Sequence, residues 1–222
     1  AFKNKPAIIV SAGPSLDQSM AQLKQAAGRC VIIAVDSAVV PLLKNGITPD
    51  FVTTLDHRDL NSEKLSPDLI QSTSFSLVGN ISSSLLTARR LPLKHLFFSF
   101  QENDTQQWLM DALNVKYQMP PVATVASLSL SLAQMLEADP VIFVGYDFAL
   151  TSTETDHVEN TVFNHGWHTQ KNTLAVKGIH GGQVKTLDFL LEFKSNLEQL
   201  LKNHSRTYIN ATASGAHIEG TT

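Results

Sequence analysis

Pro6-Ala-Ile-Ile-Val-Ser-Ala-Gly-Pro-Ser-Leu-Asp-Gln18 is the stretch whose reading decides the fold. Its apolar run Ala7–Val10 stops at Ser11-Ala-Gly-Pro-Ser15, after which Leu16, Met20, Leu23 and Ala27 recur at helical spacing. The order is strand, tight turn, helix. Gly13 supplies a positive φ or the absence of a side chain, Pro14 presets φ for a first helical residue, and Ser15 with Gln18 has the spacing of a capping box. Free amides at such a helix start attract anions, so Gly13, Pro14 and Ser15 are candidate phosphate-binding residues; a capped turn without a ligand reads the same way. The turn is neither the three-glycine dinucleotide fingerprint nor a P-loop, since no Gly-Lys-Ser/Thr follows.

Outward from this turn, residues 30–35 are an apolar, largely β-branched run of the kind buried on both faces of a parallel sheet, and they stop at Asp36. Residues 37–45 read as a short helix closed by Gly46, and residues 51–55 as a strand that stops at Asp56. Two successive strands thus carry an aspartate at their carboxyl ends, the edge where open α/β sheets bind ligands. That rule makes Asp36 and Asp56 candidate nucleotide-binding residues; the alternative is that they cap the helices that follow. Further strands are expected at 75–78, 94–99, 139–144 and 206–210, with 139–144 in the centre of the sheet. Asn80, Gly145, Asp147 and Thr212 lie just beyond their ends.

Residues 59–74 read as a covering loop or short helix, and 82–89 as a helix. A helix over 105–113 is expected to turn Trp108, Leu109 and Ala112 inward, and one over 186–203 closes the fold. The helix over 122–136 opens with small side chains. Either they let it pack tightly on the sheet, or Thr124 and Ser127 offer hydroxyls and free amides to a ligand at the helix start. Together these elements predict one Rossmann-like α/β domain over residues 1–222, its sheet mostly parallel and its helices on both faces.

The composition, 43% hydrophobic with a formal net charge of −3 over 222 residues, gives no basic footprint for nucleic acid. No window is long and apolar enough to span a bilayer, no signal peptide is expected, and the sole cysteine, Cys30, reads as a buried structural thiol. A cytoplasmic location is expected. The first strand lies so close to Ala1 that the chain reads as a domain cut from a longer polypeptide. Residues 148–185 are polar and carry His157, His165, His168 and His180, which suggests a lid or acceptor-binding loop. His165-Gly-Trp-His168 matches no defined zinc motif and no cysteine supports one, so no metal ligands are assigned.

Several of these segments resemble, in order and over essentially the whole chain, the central domain of the motility-associated factor (Maf) flagellin glycosyltransferases. They are Ala12-Gly-Pro-Ser-Leu16, Pro49-Asp-Phe-Val-Thr-Thr-Leu-Asp56, Val122-Ala-Thr-Val-Ala126, Gly145-Tyr-Asp-Phe-Ala149, Gly181-Gly-Gln-Val-Lys-Thr186 and the block from Ile209 to Thr221. The wider family is similar to the archaeal 6-hydroxymethylpterin pyrophosphokinases, and the Gly-Pro-Ser turn resembles that of Rossmann-like bacterial sialyltransferases. The resemblance implies transfer of a nonulosonic acid from its CMP-activated form to serine or threonine of flagellin. It implies phosphate on the amides of residues 13–15, and cytidine and ribose on Asp36, Asp56 and the Thr124/Ser127 helix start. It makes His180 the base for the acceptor hydroxyl, with His157 as competitor. No cofactor is implied; Mg²⁺ enters only under the pterin-kinase alternative, against which Leu55-Asp56-His57 lacks the expected glycine. A catalytically silent nucleotide-binding module is the third reading.

Overall fold

The runs Ala7–Val10 (β1) and Val31–Val35 (β2) are buried at every position, so neither face of either strand meets water. The computed structural model, which describes residues 2–56, 65, 70, 74–83, 91–100, 103–115, 122–151, 173–202 and 205–222, satisfies both by placing them inside a parallel sheet. Phe51–Thr54 (β3), Ser76–Asn80 (β4) and His95–Ser99 (β5) add on one side of β2. Val141–Val144 (β6) and Tyr208–Asn210 (β9) add beyond β1, giving the order β5-β4-β3-β2-β1-β6-β9 with every neighbour parallel. Alternate side chains enter separate cores: Ile8, Val10, Ile32 and Ala34 on one face, Ala7, Ile9, Val31 and Ile33 on the other. This is the expected Rossmann-like α/β architecture. The centre, however, is β2, and β6 lies one strand in from the β9 edge. An apolar run with neighbours on both sides reads alike in either place.

The helices are Met20–Ala26 (α1), Val39–Lys44 (α2), Asp104–Ala112 (α3), Val125–Met135 (α4) and Asp188–Lys202 (α5). The expected helix after the Gly-Pro-Ser turn begins instead as a 3₁₀ segment, Pro14–Ser19, in which Ser15 makes no cap. α3 faces inward through Gln106 and Met110, and Trp108 is 69% exposed, so the inward face expected from Trp108 and Ala112 is corrected. Within 148–185 a hairpin appears that the polar sequence did not signal, Leu174–Lys177 (β7) against Gln183–Thr186 (β8). Thr186 therefore ends a strand and does not open α5. Residues 84–89 of the helix expected over 82–89, nearly all of 59–74, and His157, His165 and His168 lie outside the described residues. No helix among the described residues is long and apolar enough to cross a membrane.

Cys30 is half-buried, its thiol donates to the Ala26 carbonyl at 3.4 Å, and burial, then the Asp50 carboxylate, pushes its pKa up. At the sheet's far edge, β5 leaves Leu96, Phe97 and Phe98 39–48% exposed.

α4 explains its own small side chains. Ser127, Ser129 and Ser131 are buried, and the Ser129 hydroxyl meets Thr53 Oγ1 of β3 at 2.6 Å while donating to the Val125 carbonyl at 3.0 Å. A larger side chain there has nowhere to go. Ser129→Leu should lower stability by about 1–3 kcal/mol in urea unfolding; an unchanged midpoint would show that the helix and the sheet are not in tight register.

Candidate ligand cleft at the strand ends

Strands β2 to β5 lie on one side of β1, and β6 and β9 on the other. The loops leaving β1 and β6 therefore part company, and the crevice they leave at the carboxyl edge is where such sheets bind ligands. A cleft of about 600 Å³ fills it. Ser11 to Gly13 after β1, Asp36 after β2, Asp56 after β3 and Gly145 to Phe148 after β6 form its sheet side. Residues 123–126, leading into α4, and Phe189, Leu190 and Phe193 of α5 complete it.

The two diverging loops are tied to each other by a buried carboxylate. Asp147, 3% exposed, accepts the Ser15 amide at 2.7 Å and the Ser15 hydroxyl at 2.6 Å. Burial pushes its pKa up to about 6, with the two Ser15 bonds opposing that rise. Around it the chains approach too closely for side chains. Gly13 is extended at φ −62°, so the turn needs no left-handed conformation; a Cβ would stand 2.6 Å from Asp147 Oδ1 and strike the Gly145 carbonyl. Gly145 at φ +70° faces the Ser11 carbonyl, and Gly215 at φ +123° faces the backbone of Asp147. The Asp147 carbonyl accepts the Ala216 amide at 2.7 Å. Phe148 stands in the left-handed region at φ +45°, held by Thr186 Oγ1, which donates to its carbonyl at 2.7 Å, and by the Tyr146 ring set edge-on at 5.8 Å.

This arrangement corrects the phosphate expectation. The Ser15 amide is donated to Asp147, the Gly13 amide to the Gly145 carbonyl at 2.9 Å, and Pro14 has none to give. The turn is an anion site whose anion is the protein's own carboxylate. Gly13, Asp36, Asp56, Thr124, Gly145 and Asp147 do line one cleft, and Asp36 and Asp56 end adjacent strands as the shared-site reading requires. Asp36 is buried, its Oδ1 accepting the Ser37 amide at 2.7 Å and its Oδ2 the Thr54 hydroxyl at 2.9 Å.

Pro14, Ser15, Asn80, Ser127, Thr212 and His180 are not among the lining residues. Asn80 accepts the Ser82 amide and hydroxyl at 2.9 and 2.6 Å, and Thr212 Oγ1 accepts the Tyr146 amide at 3.1 Å. Ser127 completes the capping box that was expected at Ser15: Thr124 Oγ1 accepts its amide at 3.0 Å and its hydroxyl accepts the Thr124 amide at 2.9 Å. His180 is exposed in the β7–β8 turn with Nε2 2.8 Å from the Ala213 carbonyl, which makes Nε2 the protonated nitrogen. The sequence reading did not assign Phe189, Leu190 or Phe193 to the site; the signal was their place on the apolar side of α5.

The model of the family described as 6-hydroxymethylpterin diphosphokinase MptE-like matches residues 1–153. Among solved structures, the Maf glycosyltransferase from Magnetospirillum magneticum AMB-1 is similar at a TM-score of 0.81 and 21% identity. That alignment covers 100% of this chain and 34% of the other, so the chain spans about a third of that protein's length. No curated protein matches the sequence.

A carboxylate whose folded pKa stands near 6, above the ordinary 3.8, binds its proton more tightly in the folded chain than in the unfolded one. Its contribution is fully present below pH 3.8 and lost as pH rises through 6. Relative to Asp147→Asn, the native chain should lose up to about 3 kcal/mol over that window and then run parallel; a difference constant across the window in thermal melts would refute the raised pKa. Ser15→Ala should cost about 1.5–3 kcal/mol at pH 7, read by urea unfolding.

Proposed function

The chain belongs to the 6-hydroxymethylpterin diphosphokinase MptE-like family, and from that premise we propose that it is the donor-binding domain of a glycosyltransferase. Its reaction moves a nonulosonic sugar from a CMP-activated donor to serine or threonine of flagellin. One observation carries the choice: the likeness to the Maf glycosyltransferase extends over the whole chain, whereas the family model ends at residue 153. The part beyond that point supplies β7, β8, α5 and β9, and with them Phe189 and Phe193 of the cleft and the Gly215 contact with Asp147.

Displacement of CMP from the anomeric carbon builds positive charge on the sugar and negative charge on the departing phosphate, and the acceptor hydroxyl must lose a proton. Asp36, Asp56 and the capping box at Thr124 stand where ribose and base would be held. His180 is the residue proposed to take the acceptor proton. With Nε2–H directed to the Ala213 carbonyl, Nδ1 is left as the basic nitrogen. The turn that carries it is fastened through the Ile179 amide to the Gly215 carbonyl at 2.9 Å, on the same loop that meets Asp147. His157 remains the alternative base, outside the described residues.

The family description supports a second reading, phosphotransfer to a hydroxymethylpterin. Magnesium would serve it, with oxygen ligands. Asp36 and Asp56 at the edge of the cleft would be its carboxylate ligands.

CMP should raise the melting temperature of the protein, while ATP with 6-hydroxymethylpterin should not; the reverse pattern selects the pterin reading. With a CMP-nonulosonic donor and flagellin, His180→Ala should reduce the transfer rate by about 100-fold or more and leave CMP affinity unchanged. Full activity in that variant removes His180 from the role.

A further inference from the structure

We propose that Phe193, braced by Phe189, is the stacking wall for a planar nitrogen heterocycle, and that the described part of the cleft grips the nucleoside end of its ligand. This deepens the nucleotide-donor reading and rests on it. α5 carries one apolar stripe at four-residue steps, Phe189, Phe193, Leu197 and Leu201. Its two halves have different fates. Leu197 and Leu201 are 1% and 3% exposed in the core, whereas Phe193 is 39% exposed and lines the cleft. A half-bare aromatic ring in a concave site, continuous with the core through its own helix, is a rigid apolar surface. The Phe189 ring meets it at 5.8 Å and 73°, an edge-to-face contact that limits how Phe193 can turn.

The charges nearby select which part of a ligand can lie against that wall. Among the described lining residues the ionisable side chains are Asp36, Asp56, Asp147 and the Tyr146 phenol; none is a cation. Burial holds Tyr146 protonated by raising its pKa, and Asp147 is turned to Ser15. Carboxylates accept hydrogen bonds and repel phosphate, so the group facing Asp36 and Asp56 must donate, as ribose hydroxyls and ring amino groups do. Ser15 donates its amide to Asp147, so the Gly-Pro-Ser turn does not offer that amide to a phosphate. A flat apolar face opposite an accepting wall is the complement of a nucleoside: ring on Phe193, hydroxyl and amino donors toward the carboxylates.

Isothermal titration at pH 7 with cytidine, CMP, 6-hydroxymethylpterin and ribose 5-phosphate, on native protein, Phe193→Ala and Phe193→Tyr, tests this. Cytidine should bind within about ten-fold of CMP, and ribose 5-phosphate, which lacks the ring, at least about ten-fold more weakly than cytidine. Phe193→Ala should weaken cytidine and CMP alike by about ten-fold or more and leave ribose 5-phosphate unchanged; Phe193→Tyr should restore both. The proposal is overturned if ribose 5-phosphate binds as tightly as CMP, if Phe193→Ala changes nothing, or if it weakens ring-bearing and ring-free ligands equally. CMP binding without dependence on Phe193 removes the stacking wall and keeps the donor reading. Phe193-dependent binding of the pterin alone removes the CMP reading and keeps the wall, and binding of none of the four overturns both.

Discussion

A carboxylate with almost no access to water holds the switch point of this sheet together. Removing an ionised group from water costs several kcal/mol, and two charge-assisted hydrogen bonds from one serine return most of it. The remainder is visible in the raised pKa of Asp147. Both donors belong to Ser15, and with the Gly13 amide on the Gly145 carbonyl they fix the β6 loop against the β1 turn. Around that fixing Gly13 is crowded by the Asp147 side chain, Gly145 by the Ser11 carbonyl and Gly215 by the Asp147 backbone, and none has room for a Cβ. The latch is complete within the chain itself.

The latch also changes what a familiar sequence pattern means. A glycine-proline-serine turn between a strand and a helix offers amides to an anion, and here an anion has accepted them from within the chain. The polar chemistry open to a ligand then moves along the strand ends to Asp36, Asp56 and the start of α4. The two aspartates are acceptors, the start of α4 offers amide donors, and the opposite wall is aromatic. The two sides of the cleft therefore ask for different things from one molecule, which is how a small site of this kind orients what it binds.

Much of the fold was legible because period and burial agree along the parallel strands: β1 and β2 are apolar at every position, and only a two-sided burial satisfies that. The aspartates after β2 and β3 were legible for the same reason, since a strand end at the carboxyl edge has a fixed place in such sheets. What escaped was decided by partners far away in sequence. Ser15 could be a helix cap or a ligand to Asp147, 132 residues on, and nothing local distinguishes the two. The phase of α3 was misread because Trp108 is exposed and Gln106, whose amide reaches Asn80 at 3.4 Å, is buried. The β7–β8 hairpin pairs mostly exposed residues, so it leaves no apolar alternation to read. Phe193 was visible only as one more position on an amphipathic helix, because the stripe does not announce where the core ends and the cleft begins.

The convergence on Asp147 bears on where this unit begins and ends as an inherited piece. Sequence similarity to the family model fades at residue 153, which makes the first two thirds look like a module with an appendage. The packing says otherwise. Leu197, Leu201, Tyr208 and Ile218 share a core with Ala7, Ile9 and Phe143, and β9 covers the open side of β6. Cutting at 153 would strip one flank of the sheet, bare that core and withdraw the Gly215 loop from the switch point. The residue at which the family model ends is thus not a border of folding, and a fragment cut there would lack part of its core.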